Sequence, residues 1–238
     1  MVDLHLHLLP GVDDGCKTMD DTVAMAKALV SLGFSVAAPS PHNRPEYASR
    51  ETALTRLEEV RAELGRQGIP LTLDVNAENS FLDETLLSAL PTPESRRVGV
   101  AGKYLLVEAP YTAPLPQLPD VIFRMKLKGV TPLIAHPERC LEFERKGRAA
   151  EAVRSGALLQ LDIGALIGRY GKGAQKLARQ FLDEGLYAIA ATDLHSPVGA
   201  EQWVRDSLEA LQKACGASAF ATLTDLCPRR ILAGEPVA

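Results

Sequence analysis

Short apolar runs recur along the chain, and each is followed by a segment of helical character. Two of them, TPLIA at Thr131–Ala135 and YAIAA at Tyr187–Ala191, show no alternation of polar and apolar residues. Strands of this kind are buried on both faces, which is typical of a parallel sheet covered by helices. The pattern therefore predicts an α/β fold, either a closed (βα) barrel or an open doubly wound sheet.

The strand-then-helix rhythm repeats from one end of the chain to the other. The predicted strands are Val2–His7, Ser35–Pro39, Leu71–Ala77, Tyr104–Glu108, Thr131–Ala135, Leu158–Asp162 and Leu186–Ala191. Predicted helices cover Met19–Ser31, Ser49–Gln67, Asp83–Leu90, Pro116–Lys128, Gly147–Ser155 and Lys172–Glu184, with further helices after the last strand. The 238 residues contain no short repeat and no linker-like stretch, so we expect one domain over residues 1–238.

Charge and composition limit the classes of partner. The formal net charge is −4 without long runs of one sign, whereas binding to a nucleic-acid backbone needs a basic surface. No segment has the length of a membrane-spanning helix, and the N-terminus lacks the pattern of a secretory signal. The four cysteines form no CxxC pair, which is typical of reduced thiols. We expect a cytoplasmic protein with no nucleic-acid partner and no membrane insertion.

Polar side chains stand at or just beyond the ends of six predicted strands. Nine of them belong to residue types that bind metals: His5, His7, Asp14, His42, Glu78, Glu108, His136, Asp193 and His195. All five histidines of the chain are in this set, and none lies on a predicted helix. Because the carboxyl ends of parallel strands meet at one end of a barrel, we expect the nine side chains to share one mouth.

A buried cluster of imidazoles and carboxylates needs compensation, because desolvation penalises ions and like charges repel. Divalent metals supply it, and this mixture without thiolates suits Zn²⁺, Mn²⁺ or Fe rather than a structural zinc site. Nine ligands exceed the needs of one ion, so two or three ions are expected. The alternative is a set of polar strand ends without chemistry, which explains six coincident strand ends poorly.

The segments that carry these residues are HLH…DDG, PH, AE, VEAP, AHPER and TDLH. In this order they resemble the polymerase-and-histidinol-phosphatase (PHP) superfamily, and more narrowly its bacterial capsule and exopolysaccharide protein-tyrosine phosphatases. The resemblance covers nearly the whole chain and includes GVDDG, LIGRYGKGAQKLARQFLDEG and PRRIL. It implies a distorted seven-stranded (βα) TIM-like barrel of the PHP type with a trinuclear metal site.

The resemblance also implies how the ligands divide among the ions. It assigns a first ion to His5, His7, Glu78 and Asp193, a second to Glu78, Glu108 and His136, and a third to Asp14, His42 and His195. We expect manganese, with iron, zinc or cobalt as alternatives.

Arg139, three residues after His136, matches an arginine of the family that handles phosphate. A guanidinium suits that role because its planar fork of donors fits phosphate oxygens. The alternative is a surface ion pair with Glu138 or Glu142, an interaction that contributes little.

The chain departs from the family pattern in three places. Asp162 and Ala165 stand where asparagine and serine are usual, and Ala200 stands near a position that is often arginine in these tyrosine phosphatases. Arg44, next to His42, is the candidate to replace that arginine.

The implied chemistry is the hydrolysis of a phosphoric monoester by water activated between metal ions. Arg139 would bind the phosphate oxygens, and Asp193 or His195 would donate a proton to a poor leaving group. Tyr111, in the proline-rich loop Ala109–Asp120, would form part of the wall around an aromatic ring.

The resulting hypothesis is a metal-dependent protein-tyrosine phosphatase that acts on a tyrosine autokinase of polysaccharide synthesis or export. A phosphatase for a small monoester such as histidinol phosphate is a second hypothesis, and a PHP module that binds metal without turnover is a third. An amidohydrolase also begins with His-x-His but commonly bridges its metals with a carbamylated lysine, and no lysine stands at a predicted strand end.

Overall fold

Nine short strands, paired in parallel, form the framework of the computed structural model, which describes residues 1–80, 84–92 and 96–237. The strands are β1 (Val2–Asp3), β2 (Val36–Ala37), β3 (His42–Asn43), β4 (Thr72–Leu73), β5 (Glu78–Asn79), β6 (Tyr104–Val107), β7 (Thr131–Ala135), β8 (Leu158–Asp162) and β9 (Tyr187–Ala191). They form a sheet of order β1-β2-β4 and a sheet of order β3-β5-β6-β7-β8-β9.

The two sheets close into a barrel where the chain beyond β9 meets the chain beyond β1. Leu6 forms a parallel bridge with Leu194, and the His7 amide donates to the Leu194 carbonyl at 2.8 Å. One step earlier, the Asp193 amide donates to the His5 carbonyl, also at 2.8 Å. The predicted α/β barrel is confirmed, and of the two predicted topologies the closed one is correct.

Three predicted strands are shorter in the structure, and two short strands were not predicted. The second predicted strand is reduced to β2, and the unpredicted β3 begins only after Pro39 and Pro41, because proline has no amide to donate to the ladder. The third is reduced to β4, and between it and the unpredicted β5 the Asn76 side chain donates to the Leu4 carbonyl at 2.7 Å. In the first, the Asp3 carboxylate accepts the His5 amide at 3.1 Å, so a side chain replaces a ladder bond.

The helices lie close to their predicted positions. They are α1 (Met19–Ser31), α2 (Arg50–Arg66), α3 (Glu84–Ala89), α4 (Leu118–Leu127), α5 (Leu141–Glu144), α6 (Arg148–Arg154), α7 (Gly171–Asp183), α8 (Ala200–Ala221) and α9 (Cys227–Ala233). Asp83, the predicted start of the third helix, lies outside the described residues. The prediction missed the one-turn helix α5 and the 3₁₀ turns Pro137–Arg139 and Ile163–Ile167, which are too short for a periodic pattern.

Two apolar layers leave one end of the barrel for polar residues. Leu105 and Val107 of β6 belong to the core between strands and helices. Leu106, between them, packs inside the barrel with Leu133 and with Ile231 of α9. The carboxyl ends of the strands point towards the other end of the barrel, where the predicted functional residues lie. No helix in the described part of the chain is long and apolar enough to cross a membrane.

Candidate metal centre

All nine predicted side chains come together at the carboxyl ends of the strands. The first group surrounds His5, whose Nε2 lies 3.1 Å from Glu78 Oε1 and 3.2 Å from Asp193 Oδ1. His7 joins it, with Nε2 3.4 Å from Asp193 Oδ1. The four residues are buried, so carboxylate and imidazole atoms face one another without bulk water. This is the set that the resemblance assigns to a first ion.

Glu78 extends from the first group into a second. His136 Nε2 lies 3.1 Å from Glu78 Oε1 and 3.7 Å from Glu108 Oε1. His42 Nδ1 lies 2.9 Å from the other carboxylate oxygen of Glu78. Glu78 therefore has the geometry of a carboxylate shared between neighbouring ligand sets.

A third group lies on the side that opens to solvent. Ligand atoms of His7, Asp14, His42 and His195 all lie within 4.8 Å of one another. Asp14 Oδ1 lies 3.4 Å from His42 Nε2 and 3.5 Å from His195 Nε2. The Asp14 side chain is 51% exposed and that of His195 is 35% exposed, unlike the buried remainder of the cluster. This group therefore forms the solvent-accessible side of the cluster.

Unusual backbone geometry places two of the nine residues. His136 and Asp193, directly after β7 and beyond β9, have φ angles of 30° and 51°, which side chains with a Cβ rarely adopt. Each such residue costs about 1–3 kcal/mol and persists only where its surroundings hold it. Gln160 Oε1 accepts the His136 amide at 3.3 Å, and the His5 carbonyl accepts the Asp193 amide. The strands therefore turn sharply just where their side chains must enter the cluster.

The residues that orient the histidines were missed by sequence reasoning. Asp13 Oδ2 lies 2.7 Å from His7 Nδ1, and Gln160 Oε1 lies 2.9 Å from His5 Nδ1. With the proton on Nδ1, each Nε2 presents its lone pair to the cluster. Metal-binding histidines are commonly oriented in this way by a hydrogen-bond partner at the other ring nitrogen. Both residues left a signal: Asp13 precedes Asp14 in VDDG, and Gln160 is a polar residue inside a buried strand.

The donor set fits divalent ions. In the described part of the chain, His5 Nε2, His7 Nε2 and Asp193 Oδ1 are buried and lie close to one another, but none of them makes a contact with the geometry of a hydrogen bond. A buried polar atom without a partner costs about 1–3 kcal/mol, so three in one place need a common partner. A centre of nitrogen and carboxylate oxygen without thiolate suits manganese, iron, cobalt or zinc.

The pKa directions show the same need for positive charge. Burial opposes protonation of His7, but the hydrogen bond with Asp13 and the charges of Asp13 and Asp193 outweigh it and raise its pKa to about 9. Burial likewise opposes protonation of His42, yet Asp14 and Glu78 raise its pKa to about 10. Although burial favours their neutral forms, the imidazoles hold the pKa values of Glu78 and Asp193 well below the usual range. Protons on the histidines therefore balance the carboxylates in the absence of metal.

Arg139 lies beside the cluster. Its Nη1 donates to Asp162 Oδ2 at 3.1 Å and to Asp193 Oδ2, and its guanidinium lies 4.1 Å from the centre of the Tyr170 ring. Although burial opposes it, the charge of Asp193 raises the pKa of Arg139 further, so the guanidinium stays charged. Asp162 thus supplies a second carboxylate that holds Arg139.

The alternative of a surface ion pair for Arg139 is wrong. Glu138 is buried and accepts the Asp162 amide at 2.9 Å and the Tyr187 hydroxyl at 2.9 Å. Glu142 pairs with Arg145 and Arg148. Neither carboxylate is paired with Arg139.

Two further predicted residues reach the cluster through Glu108. The Tyr111 hydroxyl donates to Glu108 Oε1 at 2.8 Å, and its ring stacks on His136 with centroids 5.5 Å apart. Arg44 Nη2 donates to Glu108 Oε2. The centre of the Tyr111 ring also lies 5.2 Å from the Arg139 guanidinium, so Arg139 is close to two aromatic rings.

Comparison with known proteins assigns the family. The family described as "Capsular polysaccharide synthesis, CpsB/CapC" matches residues 1–233. The chain belongs to the CpsB/CapC family. This extent includes all nine clustered side chains and Arg139. The resemblance to the capsule phosphatases of the PHP superfamily is confirmed.

Two tyrosine-protein phosphatases are similar to this chain along most of their length. The tyrosine-protein phosphatase YwqE of Bacillus subtilis (strain 168) is 28% identical over 236 residues, which cover 94% of this chain and 89% of YwqE. The tyrosine-protein phosphatase CpsB of Streptococcus pneumoniae is 26% identical and covers 98% of both chains.

Two solved structures are similar to this chain, one in sequence and fold and the other in fold alone. One, from work on YwqE and CpsB as metal-dependent tyrosine phosphatases, matches with a TM-score of 0.90 at 25% identity and covers 100% of this chain and 96% of its own. Histidinol phosphate phosphatase of Lactococcus lactis, complexed with zinc, L-histidinol and phosphate, matches with a TM-score of 0.58 at 9% identity, covering 90% and 93%. At that identity the likeness shows the barrel fold alone.

Proposed function

We propose that this CpsB/CapC chain is a metal-dependent protein-tyrosine phosphatase. One observation carries the proposal: nine metal-binding side chains converge in one mouth with Arg139 against their edge. The names of YwqE and CpsB, which are both tyrosine-protein phosphatases, support the reaction.

The ligand roles follow the three groups of side chains. His5, His7, Glu78 and Asp193 would hold a first ion, Glu78, Glu108 and His136 a second, and Asp14, His42 and His195 a third. Ions bound there would supply Lewis-acid activation of water and of the phosphate ester. We propose manganese first, with iron, zinc and cobalt as alternatives.

Arg139 would bind the phosphate. Its guanidinium is paired with Asp193, so an ion on Asp193 would take over part of that carboxylate's charge and leave donors for phosphate oxygens. Asp162 and the Tyr111 and Tyr170 rings would hold the guanidinium in place meanwhile. A preorganised cation aimed at the developing charge lowers the barrier without reorganisation in the transition state.

The site favours a leaving group that departs without a strong acid. The pKa of Asp193 is held well below its usual range against the effect of burial, so this carboxylate stays ionised. Burial, and then the charge of His7, lower the pKa of His195, whose Nδ1 donates to the Asp193 carbonyl at 2.8 Å. Both directions favour ligand roles over proton donation. A tyrosine phenolate, with a parent pKa of ~10, needs less help than an alkoxide.

The proposed substrate is a phosphotyrosine protein in the cytoplasm, specifically a bacterial tyrosine autokinase of capsule or exopolysaccharide export. The capsular description of the family supports this partner. A flat, long phosphotyrosine suits an approach past Asp14 and His195, with Arg44 and Tyr111 beside the entrance.

A panel of phosphoesters tests the proposal. Metal-loaded protein is assayed on a phosphotyrosine peptide, the matching phosphoserine peptide and histidinol phosphate at the same manganese concentration. We expect the highest kcat/KM on phosphotyrosine, because the shorter phosphoserine stem reaches the buried ligands poorly. Faster turnover of histidinol phosphate would overturn the tyrosine-phosphatase assignment and leave a metal-dependent phosphatase. No turnover of any ester by metal-loaded protein would overturn the enzyme itself.

A further inference from the structure

A cavity of about 670 Å³ lies next to the candidate metal centre and belongs to none of its ligand groups. Its wall includes Asn43 of β3 and Asn79 of β5, and the Asn43 amide donates to Asn79 Oδ1 at 2.9 Å. The preceding residues on the same strands, His42 and Glu78, are paired in register and enter the metal cluster. Because successive side chains of a strand point to opposite faces, cluster and cavity lie on the two faces of one β-ribbon.

Among the described residues, three arginines and one carboxylate line this cavity. The arginines are Arg44, which also contacts Glu108 of the cluster, Arg50 at the start of α2, and Arg96; the carboxylate is Glu51. An excess of guanidinium groups in a concave site attracts anions, because the low-dielectric walls focus the field. The charge of the wall is therefore complementary to an anionic group and unfavourable to a cationic one.

Arg96 has hydrogen-bonding capacity that the described residues do not use. Its Nη2 donates to the carbonyl of Ala48, another residue of the cavity wall, at 3.2 Å, which places the guanidinium at the cavity. Its Nε and Nη1 are buried and have no partner in the described part of the chain. Burial, and then the like charge of Arg50, lower the pKa of Arg96. A guanidinium in this state gains from an anionic oxygen more than an exposed, hydrated one does.

The cavity lies within reach of a peptide whose phosphotyrosine enters the metal centre. Tyr47 of the cavity wall stacks on His42 of the cluster, with ring centroids 5.3 Å apart. An extended peptide advances about 3.3 Å per residue, so the two or three residues beside a phosphotyrosine span about 7–10 Å. Side chains at those positions can enter the cavity while the phosphate stays at the metals.

We propose that this cavity is a specificity subsite for an anionic side chain close to the phosphotyrosine, bound by Arg96 and Arg50. The proposal rests on the proposed phosphatase function and names the substrate class that the site prefers. Two groups could bind there, an acidic side chain or a second phosphate, and both present a pair of anionic oxygens to the arginines.

Three phosphotyrosine peptides that differ at the flanking positions test the subsite: one with glutamates, one with glutamines and one with a second phosphate. Binding to metal-loaded protein is measured by fluorescence anisotropy, with a non-hydrolysable phosphonate in place of phosphotyrosine, and turnover of the hydrolysable peptides is measured in parallel. We expect the anionic peptides to bind about tenfold more tightly than the glutamine peptide, the scale of one charge-assisted hydrogen bond. The anionic peptide that binds more tightly shows whether the subsite prefers an acidic side chain or a second phosphate.

Arg96→Gln and Arg50→Gln should each bring that preference close to one. Arg50 is exposed, so its replacement leaves folding intact even if Arg96→Gln destabilises the chain. Arg66→Gln is the matched control, since Arg66 is 71% exposed at the far end of α2, and it should keep the preference.

Equal affinity for all three peptides, or a preference unchanged in both variants, would overturn the subsite. Absence of turnover with the binding preference intact would overturn the proposed phosphatase function instead. The two failures are therefore distinguishable.

Discussion

The two faces of the β3–β5 ribbon differ in the type of charged side chain that they carry and in how deeply those side chains are buried. On the inner face, His42 and Glu78 join a buried cluster of imidazoles and carboxylates. On the outer face, beyond Asn43 and Asn79, the cavity is lined by guanidinium groups that are half-buried or exposed. The inner face needs cations, and the outer face needs an anion.

This difference separates reaction from recognition. His136 and Asp193 are held by backbone turns, and His5 and His7 by orienting partners. A small change among these ligands should therefore affect every substrate. In the described part of the chain, Arg44 is the outer arginine that contacts the cluster. Changes at Arg50 or Arg96 should therefore affect only substrates with an anionic side chain near the phosphate. A change in an inner ligand that affects only acidic substrates, or a change at Arg50 or Arg96 that affects all substrates, would contradict this separation.

The largest effect is expected from His136→Ala. His136 contacts Glu78 and lies near Glu108, so its loss opens the second ligand group. We expect turnover to fall by at least about 10³ on every substrate, with a loss of bound metal, because removing a ligand affects both affinity and geometry. Metal content by elemental analysis and kcat/KM on two substrates check this. A variant that keeps full metal and full activity would remove His136 from the ligand set.

Arg139→Ala should reduce kcat/KM by about 10²–10³, the scale of one lost electrostatic stabiliser. The ions should remain, because Arg139 contributes no ligand and Asp193 loses only its ion-pair partner. The same loss is expected on acidic and neutral peptides, which distinguishes Arg139 from the outer arginines. Arg145→Ala, at an exposed arginine paired with Glu142, serves as the control and should leave turnover unchanged. Loss of metal together with activity would show that Arg139 supports the ligands instead.

Gln160→Met should weaken metal binding by about 10–100-fold, the usual cost of losing a partner that orients a ligand histidine. The side chains are similar in size, so the buried strand β8 keeps its packing while His5 and the His136 amide lose an acceptor. Calorimetric titration with manganese measures the change. If affinity is unchanged and only thermal stability falls, Gln160 has a purely structural role.

Lower pH should weaken metal binding by up to about tenfold per unit for each proton displaced, since ligands must lose protons before they bind. His7 and His42 have pKa values raised to about 9 and 10 in the metal-free protein, so both are protonated near neutral pH. Their contribution to the stability of the metal-free fold is present below the pKa of the unfolded chain and is lost as pH rises through these folded values. Manganese titrations in buffers of different ionisation enthalpy should show proton release. Affinity independent of pH would contradict the protonated cluster.

The sequence predicted the metal-binding side chains of the site more completely than the backbone and side-chain partners that hold them in place. All five histidines lie at the ends of predicted strands and none lies on a predicted helix. This pattern predicted a shared mouth, because the carboxyl ends of parallel strands meet at one end of a barrel. The shortening of the second and third strands and the separate strands β3 and β5 could not be predicted from apolar patterning, since they follow from prolines and from side-chain bonds such as Asn76 to Leu4. The roles of Asp13 and Gln160 depend on which ring nitrogen each one faces, and that is decided only by packing.

The outer cavity was not predicted for a related reason. Arg50 and Arg96 are 46 positions apart, lie on or near different elements and belong to no motif. Arginines in charged surface segments are common, and only the folded chain shows that these two share a concavity beside Arg44.

The central claim is that the nine clustered side chains catalyse phosphotyrosine hydrolysis by holding divalent ions. The most direct test removes metal from the folded protein with a chelator, then adds manganese stepwise while bound ions per chain and phosphotyrosine-peptide turnover are measured on the same samples. The account predicts no turnover without metal, recovery as two to three ions bind, and no recovery in His136→Ala. Full turnover by the metal-free protein, or full occupancy without turnover, would contradict it.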